Sequence, residues 1–413
     1  MTDHTLVHPT YAGFDPDGDD LSNVSLCIAC AKHPSLKRFV QRHACTGPVC
    51  GVCQKRDEPY EACDPNVRQA LIYLIRALVR LEYNEFDYNH HWGGDSPESI
   101  LSSGPNLIFE HASSAGHERS PETSETFLLD IFDDPYPPYD QGIAVYAGHS
   151  DGFRHINFSL RDRESEVLQQ FRRRLLAENY YAIEPDVDAV LDSISTRIDT
   201  AIPKGAKYHR ARIGYADRFG PKDGGWKAPP RFKPFSSGQL GAPPPNVSSA
   251  GRLNRQGVSY LYLASDPHTA AAEVRPHPGH YVSIGQFEAA DDLSIASFDS
   301  DVADFATSDV ELDLFHFVLS TNEAMATPAP PDAADRYLIT QLIADCLRRR
   351  GYDGVAFRSS VAEGSNLCIF RPAAFRYVAD SAQVQRVDRL AYSMSDVETL
   401  HTPDSEDLLS KGP

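Results

Sequence analysis

Apolar and polar positions divide the chain into two regions that meet near residue 203. Before that point apolar residues recur at helical spacing in three stretches, at 65–89, at 162–179 and from Pro185 to Ile198. The first stretch follows Asp64-Pro65, a pair that favours a helix start because aspartate caps free amides and proline lacks one. Residues 64–202 are therefore predicted to form a mainly helical region.

The pattern changes after Pro203-Lys204-Gly205, where short alternating segments take over. Strands are predicted at 208–213, 258–264, 281–287, 293–298, 355–357, 367–370 and 375–378, with helices at 268–274, 309–320 and 333–350. This mixture predicts an α+β domain over residues 203–394. The polar ends predict a flexible lead-in at 1–26 and a disordered tail at 395–413, and residues 93–126 predict a loop or mobile insertion.

Overall charge, hydropathy and cysteine spacing bear on whether the protein binds nucleic acid, a membrane or a metal ion. The 413 residues carry a formal charge of −19, which argues against an extended electrostatic grip on nucleic acid. No apolar run is long enough to cross a membrane, so a cytoplasmic protein without membrane attachment is expected. Six cysteines crowd between Cys27 and Cys63, a metal-binding pattern in a reducing compartment.

Two Cys-x-x-Cys pairs define a small module at residues 27–63. Cys27 with Cys30 and Cys50 with Cys53 have the spacing of a zinc ribbon, in which four thiolates close a structural Zn²⁺ site. The alternative is that one pair is coincidental, with the cysteines buried or redox-active. Substitute ligands are available at His33, His43, Cys45 and Cys63. The module also carries local positive charge, so binding to nucleic acid is not excluded there.

Polar residues in the second half lie where an ordinary core would not place them. Arg210 and Arg212 are two apart on one predicted strand and so share a face. A glycine-bounded turn, Gly251–Gly257, contains Arg252 and Asn254 and leads into a strand with Tyr260 and Tyr262. Three alanines precede Glu273 on a short predicted helix. Ser359, Ser360 and Asn366 follow near the end of the domain, after Tyr352-Asp353-Gly354.

Taken in this order, the motifs resemble the RES family, named for its arginine, glutamate and serine, over roughly residues 203–380. The resemblance implies a split mixed sheet like that of the ADP-ribosyltransferases, with flanking helices, and an activity that cleaves NAD⁺ by hydrolysis or phosphorolysis. It assigns catalytic roles to Arg210, Glu273 and Ser359. Ser360 is the alternative serine, because this chain has Arg-Ser-Ser where many relatives have Pro-Ser.

The chemistry of NAD⁺ cleavage calls for the same groups. Guanidinium groups at Arg210, Arg212 or Arg252 suit the diphosphate of NAD⁺, and a carboxylate suits the positive charge that develops on the ribose. The remaining expected substrate-binding residues are Asn254, Tyr260, Tyr262, Ser360 and Asn366. Simpler alternatives stay open, since Arg252 would also fit an exposed turn and either tyrosine could serve strand packing.

Three functions remain in competition at this point. The first is an NAD⁺ glycohydrolase or phosphorylase acting as a bacterial toxin or defence effector, with the N-terminal half resembling zinc-plus-helical regions fused ahead of some RES domains. The second transfers ADP-ribose to a macromolecule. The third is a zinc-dependent nucleic-acid binder with an inactive RES-like domain. Many relatives are inhibited by a separate antitoxin, which the resemblance implies as a partner, and homo-oligomerisation stays open.

Overall fold

The computed structural model describes residues 25–44, 50–53, 65–88, 93–94, 108, 158–222, 229–328 and 334–391. The predicted lead-in up to residue 24, nearly all of the predicted insertion, the polar tail, Cys45 and Cys63 lie outside these ranges. None of the helices described in them is long and apolar enough to cross a membrane.

Eight α-helices are described. They are α1 (Pro34–His43), α2 (Pro65–Glu82), α3 (Glu85–Tyr88), α4 (Glu166–Leu175), α5 (Tyr180–Ile198), α6 (Pro267–Glu273), α7 (Asp309–Ala326) and α8 (Leu338–Arg349). The predicted start of α5 at Pro185 is wrong, because the helix begins at Tyr180 and accommodates the proline near its beginning. One helix predicted to run to residue 89 is two, separated at Tyr83 and Asn84.

Eleven strands complete the described fold. They are β1 (Asp199–Ile202), β2 (Lys207–Ile213), β3 (Asp217–Phe219), β4 (Arg231–Lys233), β5 (Leu261–Ala264), β6 (Tyr281–Ala289), β7 (Leu293–Ser297), β8 (Gly354–Arg358), β9 (Ser365–Ile369), β10 (Phe375–Tyr377) and β11 (Gln383–Arg386). Nine form one sheet in the order β1-β7-β8-β9-β5-β2-β6-β10, with β11 also on β6, and β3 pairs with β4. Only β7 and β8 run parallel among these pairs, which confirms the predicted α+β class with a mixed sheet.

The sheet opens between β2 and β5. Seven residue pairs join β2 to β6, whereas His209 opposite Ala264 is the one described pair between β2 and β5. Beyond that pair the two strands diverge, so backbone groups of β5 lack partners from β2. Side chains can enter this gap, and it is here that the candidate site lies.

One apolar core connects the N-terminal elements to the sheet. Leu26, together with Leu36 and Val40 of the cysteine module, is fully buried in a cluster that also includes residues of α2, α5, α7 and α8 and of the strands β7, β8 and β9. A second cluster, on β5, β6, β7 and β9, includes Leu263 and Ile295. The helical region is thus packed against the sheet, while the domain limits predicted from sequence stay predictions.

Matched charges join α5 to α8. Glu184, Asp188 and Asp192 follow one another at four-residue spacing on α5. Arg349 contacts Glu184 at 3.0 Å, and Arg350 contacts Asp188 at 3.0 Å and also pairs with Asp192. The acidic row on α5 is therefore complementary to the basic C-terminal end of α8.

Candidate active site

The divergence of β2 from β5 gives Arg210 its position. Its Nη1 donates to the carbonyl oxygen of Tyr262 at 2.7 Å, so the guanidinium bridges the gap between the two strands. Desolvation lowers the pKa of Arg210 to about 10, which still leaves the group charged at neutral pH. A partly desolvated cation of this kind favours an anionic ligand.

The short helix α6 presents Glu273. Asp266 caps the helix by accepting from the amide of Thr269 at 2.8 Å, and Pro267 occupies the first turn, as the sequence predicts. Ala270 packs in a small cluster with Ala211 of β2, so the small side chains let α6 approach the sheet closely. Glu273, the last residue of α6, then reaches the cleft.

Three predicted site residues converge on the Glu273 carboxylate. Ser359 Oγ donates to Oε1 at 2.8 Å, and Asn366 Nδ2 donates to the same oxygen at 2.6 Å. Arg252 Nη2 lies 3.3 Å from Oε2. Both carboxylate oxygens of Glu273 are therefore held by neighbouring side chains.

Residues of α7 and α8 hold Arg252, which lies in the glycine-bounded turn. Arg252 Nη1 donates to the carbonyl of Met325 at 3.3 Å, and its own carbonyl accepts from Thr340 Oγ1 at 2.5 Å. Asn254 is buried and donates to the carbonyls of Ser249 and Val258. The Asn254 amide thus stabilises the turn itself, and its predicted contact with substrate stays a prediction.

The two tyrosines have different surroundings. The Tyr262 hydroxyl donates to Asn254 Oδ1 at 2.8 Å and accepts from the Leu253 amide at 3.1 Å, and burial raises its pKa well above its usual value. Tyr260 packs on Phe370, with ring centroids 5.0 Å apart, and burial raises its pKa to about 12. Tyr262 lines the cleft, whereas Tyr260 belongs to the core.

Two other predicted residues are directed elsewhere. Arg212 donates to the carbonyl of Gln239 at 2.7 Å and stacks over Phe235, 4.6 Å from the ring centroid. Ser360 donates to the carbonyl of Ala326 at 2.8 Å. Of the two candidate serines, only Ser359 contacts Glu273 among the contacts described.

The convergent residues surround a cleft of about 270 Å³. Its walls include Arg210, Arg252, Tyr262, Glu273 and Asn366 together with apolar groups. Two guanidinium groups and one carboxylate in a small, partly apolar cleft suit a ligand that has both negative and positive groups.

Sequence reasoning missed other residues at the cleft. His209 and Phe357 line it, and His209 Nε2 lies 3.3 Å from Gln286 Nε2. His209 precedes Arg210 on β2, but a lone histidine on a strand gives no signal of a cleft. Met325 acts through its backbone carbonyl, which no side-chain pattern reveals.

The four predicted metal ligands form a second centre. The sulfur atoms of Cys27, Cys30, Cys50 and Cys53 lie within 4.8 Å of one another, and all four residues are buried. The Sγ atoms of Cys27 and Cys53 are 3.7 Å apart, close to the ~3.8 Å edge of a tetrahedron with Zn–S bonds of about 2.3 Å. The amides of Cys27 and Val52 lie 3.3 and 3.4 Å from Cys50 Sγ, as donors to a thiolate would. The residues fit a structural zinc ion.

Comparisons with known proteins bear on the C-terminal part. Residues 222–392 match the family model described as the RES domain. No curated protein matches the chain. A solved structure described as "Crystal structure of the M.tuberculosis MbcT-MbcA toxin-antitoxin complex" is similar to 48% of this chain and 91% of its own, at 11% identity and a TM-score of 0.26. That similarity is too low to bear on the fold or the reaction.

The family match covers Glu273, Ser359 and Asn366, and it begins after Arg210 and β2. The similarity to the RES domain is therefore a finding about residues 222–392, which are less than half of the chain.

Proposed function

We propose that this protein cleaves NAD⁺ at the bond between nicotinamide and ribose. The observation that carries the proposal is the Glu273 carboxylate, held by Ser359, Asn366 and Arg252 in the cleft that Arg210 also lines. The guanidinium groups bind the diphosphate, and Glu273 faces the ribose. The RES match of residues 222–392 supports this assignment.

Bond cleavage follows from this placement. As the C1′–N bond breaks, its electron pair goes to nicotinamide, and the ribose acquires oxocarbenium character. The carboxylate stabilises that cation more than the ground state, because positive charge grows next to it during the reaction. Water or phosphate then adds to that same anomeric carbon, which is C1″ in ADP-ribose numbering, and loses a proton, giving ADP-ribose or its 1″-phosphate.

Ser359 and Asn366 act on this step through Glu273. Both donate to Oε1, so they fix the carboxylate in one orientation and leave it no need to reorganise as charge develops. Tyr262 supports both arginines, since its carbonyl accepts from Arg210 and its hydroxyl holds Asn254 in the turn of Arg252.

At the N-terminal centre, Cys27, Cys30, Cys50 and Cys53 would hold one Zn²⁺ as four thiolates. A fourfold thiolate set leaves no open position for substrate, so the ion would stabilise the fold. A separate inhibitory protein remains part of the proposal, on the grounds of the family resemblance.

The decisive experiment incubates the full chain with NAD⁺, with and without phosphate, and identifies products by mass spectrometry. We expect nicotinamide release that falls at least about 100-fold in Glu273→Ala. Glu288→Ala on β6 is the matched control, because that exposed carboxylate pairs loosely with Lys207 outside the cleft and should leave the rate unchanged.

Two outcomes would contradict the proposal. One is wild-type protein that releases no nicotinamide at high enzyme concentration. The other is equal activity in Glu273→Ala and Glu288→Ala. Label recovered on protein or nucleic acid instead of free ADP-ribose would replace hydrolysis with transfer to a macromolecule.

A further inference from the structure

The Gly251–Gly257 turn carries two arginines that face different partners. Arg252 contacts Glu273 in the cleft. Arg255 instead lies with its Nε 3.1 Å from Asp345 Oδ2 on α8, and its guanidinium carbon is 3.9 Å from the ring centroid of Tyr180. Tyr180 is the first residue of α5 and lies outside the RES match. The helical region thus contacts the turn directly.

The two ends of the turn are held unequally. At the start, Gln341 donates to the carbonyl of Gly251 at 2.8 Å and Thr340 to that of Arg252. Further on, Gln256 and Gly257 are exposed. Within the turn, Asn254 Nδ2 donates to the Arg255 carbonyl at 3.2 Å. The described side-chain contacts that tie this later part to α8 and α5 are those of Arg255 with Asp345 and Tyr180.

We propose that Tyr180 is a positioning residue for the cleft, and that the helical region uses it to fix the turn that presents Arg252. The inference rests on the proposed function, because it assigns Arg252 a part in binding the dinucleotide. Asp345 pairs with one edge of the Arg255 guanidinium, and the ring of Tyr180 covers one of its faces. Together the two contacts limit the orientations that the guanidinium can adopt.

The chain supplies its own control at the adjacent residue. Tyr181 is 61% exposed and Tyr180 43% exposed, and the two rings contact each other with centroids 5.7 Å apart. Of the pair, only Tyr180 stacks on an arginine in the contacts described. Both substitutions remove a partly exposed ring near the start of α5, but only the loss of Tyr180 takes the cation–π contact from Arg255.

The test compares nicotinamide release by Tyr180→Ala, Tyr181→Ala and Tyr180→Phe in the full chain. For Tyr180→Ala we expect the KM for NAD⁺ to rise roughly two- to fivefold, the effect of one partly exposed cation–π contact. Its kcat should stay within about twofold, because Ser359 and Asn366 still hold Glu273. Tyr180→Phe keeps the ring and should behave as wild type, as should Tyr181→Ala.

A double variant tests whether Tyr180 acts on the turn through Arg255. Arg255→Gln should raise KM as Tyr180→Ala does, and the two changes together should give no further increase. Wild-type kinetics in Tyr180→Ala would overturn the inference and leave the proposed function intact. A fall in Tm and kcat with unchanged KM would also overturn it, because that result indicates general destabilisation.

Hydrogen exchange separates this inference from the proposed function. If wild-type protein releases no nicotinamide, the proposed function fails, yet exchange at residues 251–257 still reports on the turn. Faster exchange there in Tyr180→Ala than in Tyr181→Ala supports the positioning contact, and equal exchange refutes it.

Discussion

Asn366 offers the sharpest test of how Glu273 is held. Its Nδ2 donates to Glu273 Oε1 at 2.6 Å, and Asn366 is only 6% exposed. A hydrogen bond to a charged group contributes about 1.5–3 kcal/mol. If that energy serves to orient the carboxylate, Asn366→Ala should lower kcat/KM roughly 10- to 150-fold.

Asn366→Asp adds a dependence on pH. A second carboxylate about 2.6 Å from Oε1 would repel it by roughly 6 kcal/mol at an effective dielectric constant of ~20, so one of the two retains a proton near neutral pH. The protonated new carboxyl can donate to Glu273, as the amide does. The shared proton belongs to the pair of carboxyl groups. The restoring hydrogen bond is therefore present at low pH and is lost as rising pH removes that proton.

The assay is nicotinamide release between about pH 5 and 9 by wild-type protein, Asn366→Ala and Asn366→Asp. The ratio of kcat/KM for Asn366→Asp to that of wild type should be highest at the acid end and fall with rising pH. Asn366→Ala should show a flat ratio. Parallel profiles for the two variants would refute a positioning role for the Asn366 donor.

Two further predictions concern the two candidate serines and the four-cysteine centre. Ser359→Ala should lower kcat at least tenfold, because Glu273 loses a donor, whereas Ser360→Ala should stay within about twofold since Ser360 donates only to the Ala326 carbonyl; equal losses would disprove this distinction. Cys50→Ala should lose the single zinc ion measured by mass spectrometry and unfold at a lower temperature, while buried Cys346→Ala keeps the ion; one zinc in both variants would exclude the four-thiolate site.

The sequence predicted the elements of the site better than their contacts. Alternation located β2 and placed Arg210 and Arg212 on the same face, and the caps located α6. The guanidinium groups of Arg210 and Arg212 nevertheless donate to different partners, the carbonyls of Tyr262 and Gln239. Gln239 belongs to a Gly/Pro-rich stretch without periodicity, so its position depends on tertiary packing.

Other misses have equally local reasons. β1 was predicted as part of the helical region, because four residues are too short to show alternation and their strand form depends on pairing with β7. Residues 258–260 were predicted as strand, but β5 begins at Leu261. The sequence predicted Asn254 as a substrate-binding residue because it is polar and lies in a turn, whereas in the structure its amide donates to neighbouring carbonyls.

The charge pairing between α5 and α8 bears on how this protein could be recombined. Chimeras that join the N-terminal half of one relative to the C-terminal half of another would bring together an acidic row and a basic helix end from different lineages. If one relative lacks the acidic residues of α5 or the arginines of α8, the chimera would place like charges or unpaired charges between these two helices. Exchanging one half alone would therefore remove partly exposed ion pairs that contribute up to about 1 kcal/mol each, and a chimera that keeps Glu184 and Asp188 with Arg349 and Arg350 should be the more stable one.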